Sequence, residues 1–390
     1  NDPHRPVMRS SFKIQGLEMQ KTANHSSRPL AIAVIGTGIS GMSAAWLLSK
    51  RHNITVYEKN DRVGGHSNTA TIEQGTDRIP VDTGFIVYNE RNYPNLTALF
   101  SHLDVATEPS DMSFSASLDD GSFEYSGTGL AGLFAQPRNL LRPRMWSMLR
   151  DLRRFYREAT SDATGTDTGV TLGDYLRDNN YSNSFIYDHI LPMGAAIWST
   201  PAKEMLDYPL FSFIRFCDNH GLLQLKDRPA WRTVTGGSRE YVDKLTASFT
   251  DRILLKTGVT SIQRKPEGVM IEDRQGDIRW FDHVVIAAHA NETLDMLTDI
   301  EKAERQLLGT IRYERNLAIL HSDNRLMPRT RKAWASWNFM GQDSNINDKV
   351  SVTYWMNRLQ TLNSDTNLFV SLNPLIKPCL LYTSDAADDR

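Results

Sequence analysis

Six residues, Gly36-Thr37-Gly38-Ile39-Ser40-Gly41, have the types and spacing that let a backbone approach a pyrophosphate. Gly36 would make the tight turn, Gly38 would leave room for the phosphates, and Gly41 would let the next helix pack on the preceding strand. The helix start at Ile39 and Ser40 then offers free N–H groups and a partial positive charge to an anion. Glu58, with Lys59 beside it, stands 22 residues beyond Gly36, about where a carboxylate accepts from ribose hydroxyls. Its charge would repel a ribose 2′-phosphate, which disfavours an NADP-type ligand. Arg62-Val63-Gly64-Gly65 follows closely. NAD needs nothing there, whereas FAD runs on past the pyrophosphate to a ribityl chain and a ring system. A guanidinium near the phosphates and two residues without side chains suit the longer ligand. A simple turn after the strand is the plain alternative.

A flavin brings hydride chemistry with it, so the protein need only orient the reactants and exclude water. The chain carries no HExxH, CxxC or GxSxG, and its ten histidines show no zinc-ligand spacing, so no metal is expected. His66, next to the second glycine pair, is the candidate for proton transfer at the ring edge. Tyr88 is the second candidate, with Asn89 beside it. Trp198, Trp231, Trp334, Trp337 and Trp355 would either wall an apolar cavity or pack in the core. His189 and His220 read as structural histidines.

These groups need a scaffold, and the apolar pattern supplies one. Ala31–Ile35 reads as a buried parallel strand, Met42–Lys50 as a helix and Ile54–Glu58 as a second strand, one βαβ unit. Residues 80–105 carry a turn at VDTGF and a helix over Tyr93–Leu103. Met112–Leu118 and Ser122–Ser126 read as a hairpin around Asp119-Asp120-Gly121. Residues 127–229 turn largely helical, with a surface loop at 160–169. From Ile253 come a strand, two hairpin strands (VTSIQRK and GVMIED) and the strand HVVIAA. LAILHS, AWASWNF, VSVTYWMN and LFVSL then look like an antiparallel sheet. The switching pattern implies two domains, each assembled from separated pieces of chain.

Composition bounds the rest. The chain has 390 residues, 40% apolar and 23% charged, which describes a globular protein with a sizeable core. A net charge of −2 gives no global drive toward nucleic acid. Two cysteines, Cys217 and Cys379, exclude a disulfide framework and suit a reducing, cytoplasmic setting. No apolar run approaches the roughly 20 residues of a membrane span, and residues 1–29 read as a disordered tail.

With these residues in hand, the chain resembles the flavin-containing amine oxidase superfamily, the group of monoamine oxidases, protoporphyrinogen oxidases and phytoene desaturases. It is most similar to a bacterial branch of NAD/FAD-binding oxidoreductases, through VDTGFIVYNERNYPNL (81–96), residues 213–242, HVVIAAHA (283–290) and VSVTYWMNRLQ (350–360). The resemblance covers roughly residues 30–374. It implies an α/β fold: an FAD-binding Rossmann-like domain of the glutathione-reductase type, with a discontinuous α+β substrate domain carrying an antiparallel sheet. The expected boundaries are 30–105 and 230–300 for the first, and 106–229 and 301–374 for the second. It also implies that Arg62, Gly64 and Gly65 lie along FAD. The turn Asp82–Phe85, with Gly84 and Phe85, would abut the flavin ring, and Val259 would meet adenine through its backbone. Gly236-Gly237 matches the glycine pair that opens a second helix of the cofactor domain, or is a plain loop–helix junction.

Relatives near this branch act on acyl chains of lipids, so the resemblance implies oxidation or reduction of a C–C or C–N bond in an apolar, lipid-linked substrate. An amine oxidase on a small amine, an NAD-binding dehydrogenase and a non-catalytic flavin- or lipid-binding protein stay open beside it. The electron partner is not legible. Gln136–Ala159 holds seven arginines, and Met145, Trp146, Leu149, Leu152 and Tyr156 recur at helical spacing. Such a basic amphipathic helix, residues 138–157, would make peripheral contact with the inner face of a membrane or simply present a solvated arginine face. Family members return at their C-terminus to the cofactor domain with a strand and a glycine-led helix. Here the match stops near Pro374, so 375–390 is expected to be a foreign tail without an apolar strand, on a truncated chain that would bind FAD less well.

Overall fold

The computed structural model describes residues 28–163, 169–201, 203–224, 227–341, 351–379 and 381–389. Most of the expected N-terminal tail and the centre of the expected 160–169 loop lie outside these residues. The helix before that loop runs on through Ala163.

The core of the first architectural unit is strand β1 (Ala31–Ile35), four of whose five residues are buried. Side chains alternate across a strand, and β1 divides accordingly. Ile32 and Val34 pack with Ala45 of helix α1 (Ile39–Leu48) and with Ile54 and Val56 of strand β2 (Asn53–Tyr57). Ala33 and Ile35 pack with Ile262, Ile271 and Phe281 on the other face. A continuous apolar run is therefore what a strand covered on both faces requires. β1 pairs in parallel with β2 on one side and with His283–Ile286 on the other, and β2 pairs in parallel with Ile253–Leu254. The second face is covered by an antiparallel meander of Val259–Lys265, Gly268–Asp273 and Ile278–Phe281. Helix Arg239–Thr246 lies against α1 through Met42, Tyr241, Val242 and Leu245.

A seven-stranded sheet forms the second architectural unit. Its order is 381–389, 314–321, 369–372, 351–355, 337–340, 114–118, 123–126. The expected sheet is there, with one correction: Trp337–Met340 runs parallel to Phe114–Leu118, so the sheet is mixed. Strands far apart in sequence can meet in either sense, whereas a short hairpin forces antiparallel pairing. A second correction concerns the tail. Leu381–Asp389 pairs antiparallel with Glu314–His321, because an open sheet edge offers unpaired N–H and C=O groups to any extended segment. A hairpin of Thr69–Gln74 with Asp77–Asp82, and a small sheet joining Tyr88–Asn89 and Thr107–Ser110 to Trp231–Val234, were not legible beforehand.

Helix Pro143–Ala163 buries Met145, Met148, Phe155, Ala159 and Ala163 against the large core. The face is rotated from the expected one. Trp146 is 52% exposed and Leu149, Leu152 and Tyr156 are only partly buried, because Met148 and Phe155 take the core-facing stripe. The tryptophans largely serve packing. Trp198 stacks among Tyr208, Phe213 and Phe216, Trp334 meets Trp355 edge-on, and Trp337 meets Tyr354 edge-on.

Candidate functional site

The three glycines of the first loop have three separate reasons to be glycine. Gly36 has φ +96°, and a Cβ there would stand 2.7 Å from the Ala287 carbonyl oxygen. At Gly41 a Cβ would stand 1.9 Å from the Gly36 carbonyl oxygen, so α1 can lie on its own turn only without one. At Gly38 a Cβ would meet no protein atom within 4 Å, and the backbone is ordinary, with φ −63°. Folding therefore requires Gly36 and Gly41 but not Gly38. The space in front of Gly38 opens at the N-terminus of α1, whose first turn has no acidic residue to oppose an anion.

Glu58, 5% exposed, follows β2 directly and lies over this loop. Its carboxylate accepts the Thr37 N–H at 3.0 Å, the Thr37 hydroxyl and the Asn60 N–H at 2.9 Å. The second glycine pair folds back onto the same place. Gly64 N–H donates to the Thr37 carbonyl at 3.0 Å, and a Cβ on Gly65 would stand 3.0 Å from the Gly38 Cα. Both glycines have positive φ, +111° and +57°. Arg62 donates through one guanidinium nitrogen to the Gly65 carbonyl at 2.9 Å, closing the turn that its own residue opens. Gly65 is thus needed by the first loop, and Gly64 by its own turn, where a Cβ would stand 2.5 Å from the Ser67 carbonyl oxygen.

The turn at 82–85 is built the same way. Phe85 N–H donates to the His66 carbonyl at 2.7 Å, and a Cβ on Gly84 would stand 2.2 Å from that oxygen. Asp82, almost wholly buried, accepts both the N–H and the hydroxyl of Ser238, the Thr69 hydroxyl at 2.6 Å and the Gln360 amide at 3.2 Å. Burial pushes its carboxyl up to about 6 against these hydrogen bonds and the Arg239 charge. Gly237, φ +91°, brings the start of helix Arg239–Thr246 onto Thr69 and Asp82.

One cavity of about 1480 Å³ joins these pieces. Gly36, Gly38, Ile39, Ser40, Glu58, Lys59, Arg62, Gly64, Gly65, His66, Phe85 and Val259 all line it. It exceeds the roughly 300–1,000 Å³ of a drug-sized ligand site. A long ligand with an anionic centre fits it: open space at Gly38, a free helix start, and a buried acid one strand away. Gly41 and Gly84 lie behind the lining as packing positions. Tyr88 is the exception. It is 2% exposed, edge-on to Phe100 at 5.3 Å, and outside the lining, because its strand pairs with Arg232 and turns the ring into the aromatic cluster under α1.

Other lining residues escaped the sequence reading. His289 follows the strand His283–Ile286 and stacks between His66, at 6.2 Å, and Tyr313, at 4.2 Å. Glu292 pairs with Lys59; burial raises its carboxyl, and that ion pair outweighs burial to leave it low. The one available signal was position, since residues just past the C-terminal end of a parallel strand border the ligand crevice. Phe85, Tyr93, Leu96 and Tyr241 form a largely aromatic, apolar wall continuous with the cluster under α1. Elsewhere, His220 contacts the Phe216 carbonyl. His189 is buried against Tyr125, and burial lowers it to about 4. Among the described residues no group of three or more His, Cys, Asp or Glu is placed to hold a metal ion, and no helix is long and apolar enough to cross a membrane.

Comparison with known proteins gives these features a family. Residues 39–307 match the model for flavin containing amine oxidoreductases. A protein of Mycobacterium tuberculosis named as a flavin-containing monoamine oxidase is 26% identical over 255 residues, 63% of this chain and 54% of that protein. The chain thus spans about half the length of the curated relatives it matches over a long stretch. Among solved structures, cyclohexylamine oxidase from Brevibacterium oxydans superposes with a TM-score of 0.61 at 16% identity, covering 92% of this chain and 84% of that one. A fatty acid isomerase from P. acnes superposes with a TM-score of 0.59 at 14% identity, over 93% and 80%. At such identities the structural likenesses establish the fold.

Proposed function

The chain belongs to the flavin containing amine oxidoreductase family, whose cofactor is FAD, and on that premise we propose that it is an FAD-dependent oxidoreductase acting on an apolar, lipid-linked substrate. The observation that carries the reading is the single cavity joining Gly38, Glu58, the Arg62–Gly65 turn, His66 and Phe85. FAD supplies hydride acceptance or return at its ring, toward a C–C or C–N bond.

The chain's own residues divide the remaining work. Gly38 and the amides of Ile39 and Ser40 would take the pyrophosphate, and Glu58 would accept from ribose hydroxyls. Lys59 and Arg62 would add positive charge on that side, and Val259 would border the adenine. His66 and Phe85 would border the reacting end, with Gly84 behind them holding the turn against the His66 carbonyl. Of these, His66 is the group able to hold or pass a proton there, with the His289 ring against it. Phe85, Tyr93, Leu96 and Tyr241 exclude water and favour an apolar substrate. In this reading residues 30–105 and 230–300 form the cofactor domain, and the rest of the matched chain the substrate domain. Peripheral contact with a membrane would bring an acyl substrate to it.

Amine oxidation is the second reading, favoured by the amine oxidase named among the relatives. An absorbance spectrum after gel filtration, with heat release of the chromophore, tests the cofactor. FAD co-eluting with folded protein is expected, and NAD binding without flavin would overturn the reading. Anaerobic bleaching by acyl lipids and by primary amines, run in parallel, then decides between the two substrate classes.

A further inference from the structure

The arginine-rich helix Pro143–Ala163 is not absorbed by the cofactor cavity, none of whose lining residues it supplies. Its arginines fall into two groups. Arg144 bonds Asp188 through two nitrogens at 2.7 Å and Asp119 at 2.6 Å, and Arg154 lies over the Tyr181 ring at 3.8 Å. Those two serve the fold. Arg150, Arg153 and Arg157 are exposed and follow Trp146 at spacings of four, seven and eleven, which places all four on one stripe of the helix.

At the Trp146 end the stripe meets an apolar patch. The indole N–H of Trp146 donates to the Leu140 carbonyl at 2.8 Å and its ring lies 5.7 Å from Phe134, one helical turn from Leu130. Leu141 is 88% exposed, Leu130 76% and Leu140 48%. Arg138 and Arg142 sit beside them, both donating to the Ser122 carbonyl at 2.7 Å. Of the helix's acids, Asp151 is buried and Asp162 accepts from the Tyr175 hydroxyl, leaving Glu158 beside Arg157. Exposed leucines and a tryptophan next to a line of arginines, on a chain of net charge −2, are the chemistry of an interface with an anionic bilayer. The apolar groups enter the headgroup boundary while the guanidinium groups pair with lipid phosphates.

We propose that Leu130, Leu140, Leu141 and Trp146, with Arg150, Arg153 and Arg157, form a docking face for an anionic phospholipid membrane. The proposal extends the lipid reading of the substrate but is tested without flavin or turnover, so each can fail alone. The full chain is sedimented with vesicles of phosphatidylcholine alone and of phosphatidylcholine with phosphatidylglycerol. Binding is expected to the second kind only, and to weaken as salt rises. Each arginine near such a surface is worth roughly fivefold in partitioning. Arg150 and Arg157 each have an acidic neighbour, so Arg150→Gln/Arg153→Gln/Arg157→Gln should weaken binding roughly 10- to 100-fold. Leu130→Glu/Leu141→Glu, at two largely exposed positions, should abolish it, with circular dichroism unchanged in both variants. Equal binding of either variant and the parent chain, or no vesicle binding at low salt, overturns the proposal. Capture by soluble polyglutamate with no vesicle binding would assign the face to an acidic protein instead.

Discussion

Gly38→Ala separates ligand binding from folding. The backbone at Gly38 is one that alanine adopts freely, and the added Cβ would meet no protein atom within 4 Å. A Gly→Ala change at a compatible backbone stabilises by about 0.4–1 kcal/mol, by narrowing the unfolded ensemble. The apoprotein should therefore unfold at the same urea concentration as the parent chain or slightly higher. The same methyl stands where a pyrophosphate would touch the backbone. Forcing a methyl into a filled contact costs about 1–3 kcal/mol, which at about 1.4 kcal/mol per tenfold is a roughly 5- to 150-fold weaker Kd for FAD. The assay is flavin titration of apoprotein, followed by absorbance, beside urea denaturation of the same apoprotein. Gly41→Ala is the contrasting control: its Cβ would stand 1.9 Å from the Gly36 carbonyl oxygen, so it should lose stability before any ligand is added. An unchanged Kd for Gly38→Ala would refute the assignment of the space in front of Gly38 to the ligand. Destabilised Gly38→Ala apoprotein would refute the claim that this space is open.

Asp82 predicts a pH effect on stability. Its carboxyl is raised from 3.8 to about 6, so its contribution is fully present below the unfolded value and lost as pH rises through the folded one. From below 3.8 to above 6 the full loss amounts to about 3 kcal/mol, of which about 2 kcal/mol falls between pH 4 and 6. His189 and His321, each lowered to about 4 by burial, act in the opposite direction, losing stability as pH falls below their unfolded value. The check is therefore a difference: denaturation of the parent chain and of Asp82→Asn from pH 4 to 7, with matching slopes sinking the idea. Tyr88→Phe should leave flavin content and turnover within about twofold of the parent, because the ring is outside the cavity lining; a large fall in turnover would restore Tyr88 to the site.

What was legible in the chain is what short-range physics decides. A buried strand, a glycine turn, a helix start and an acid lie within 28 residues, from Ala31 to Glu58. Each step is fixed by local sterics and by the need to satisfy backbone groups. That stretch named its ligand class before any fold was known, and the glycine pair at 64–65 was visible for the same reason. The packing of Gly65 on the Gly38 Cα was not, since no spacing rule reports which turn lies against which. Tertiary structure alone decided contacts between distant segments. It set His289 against His66, Asp82 onto the helix that begins beyond Gly237, and Trp337–Met340 alongside Phe114–Leu118 in parallel. It also turned Tyr88 inward and left Trp146 outside, although both sit in apolar patterns that read alike. Such choices follow from which buried surface is completed when separated pieces of chain pack together, and that information is spread over the whole molecule.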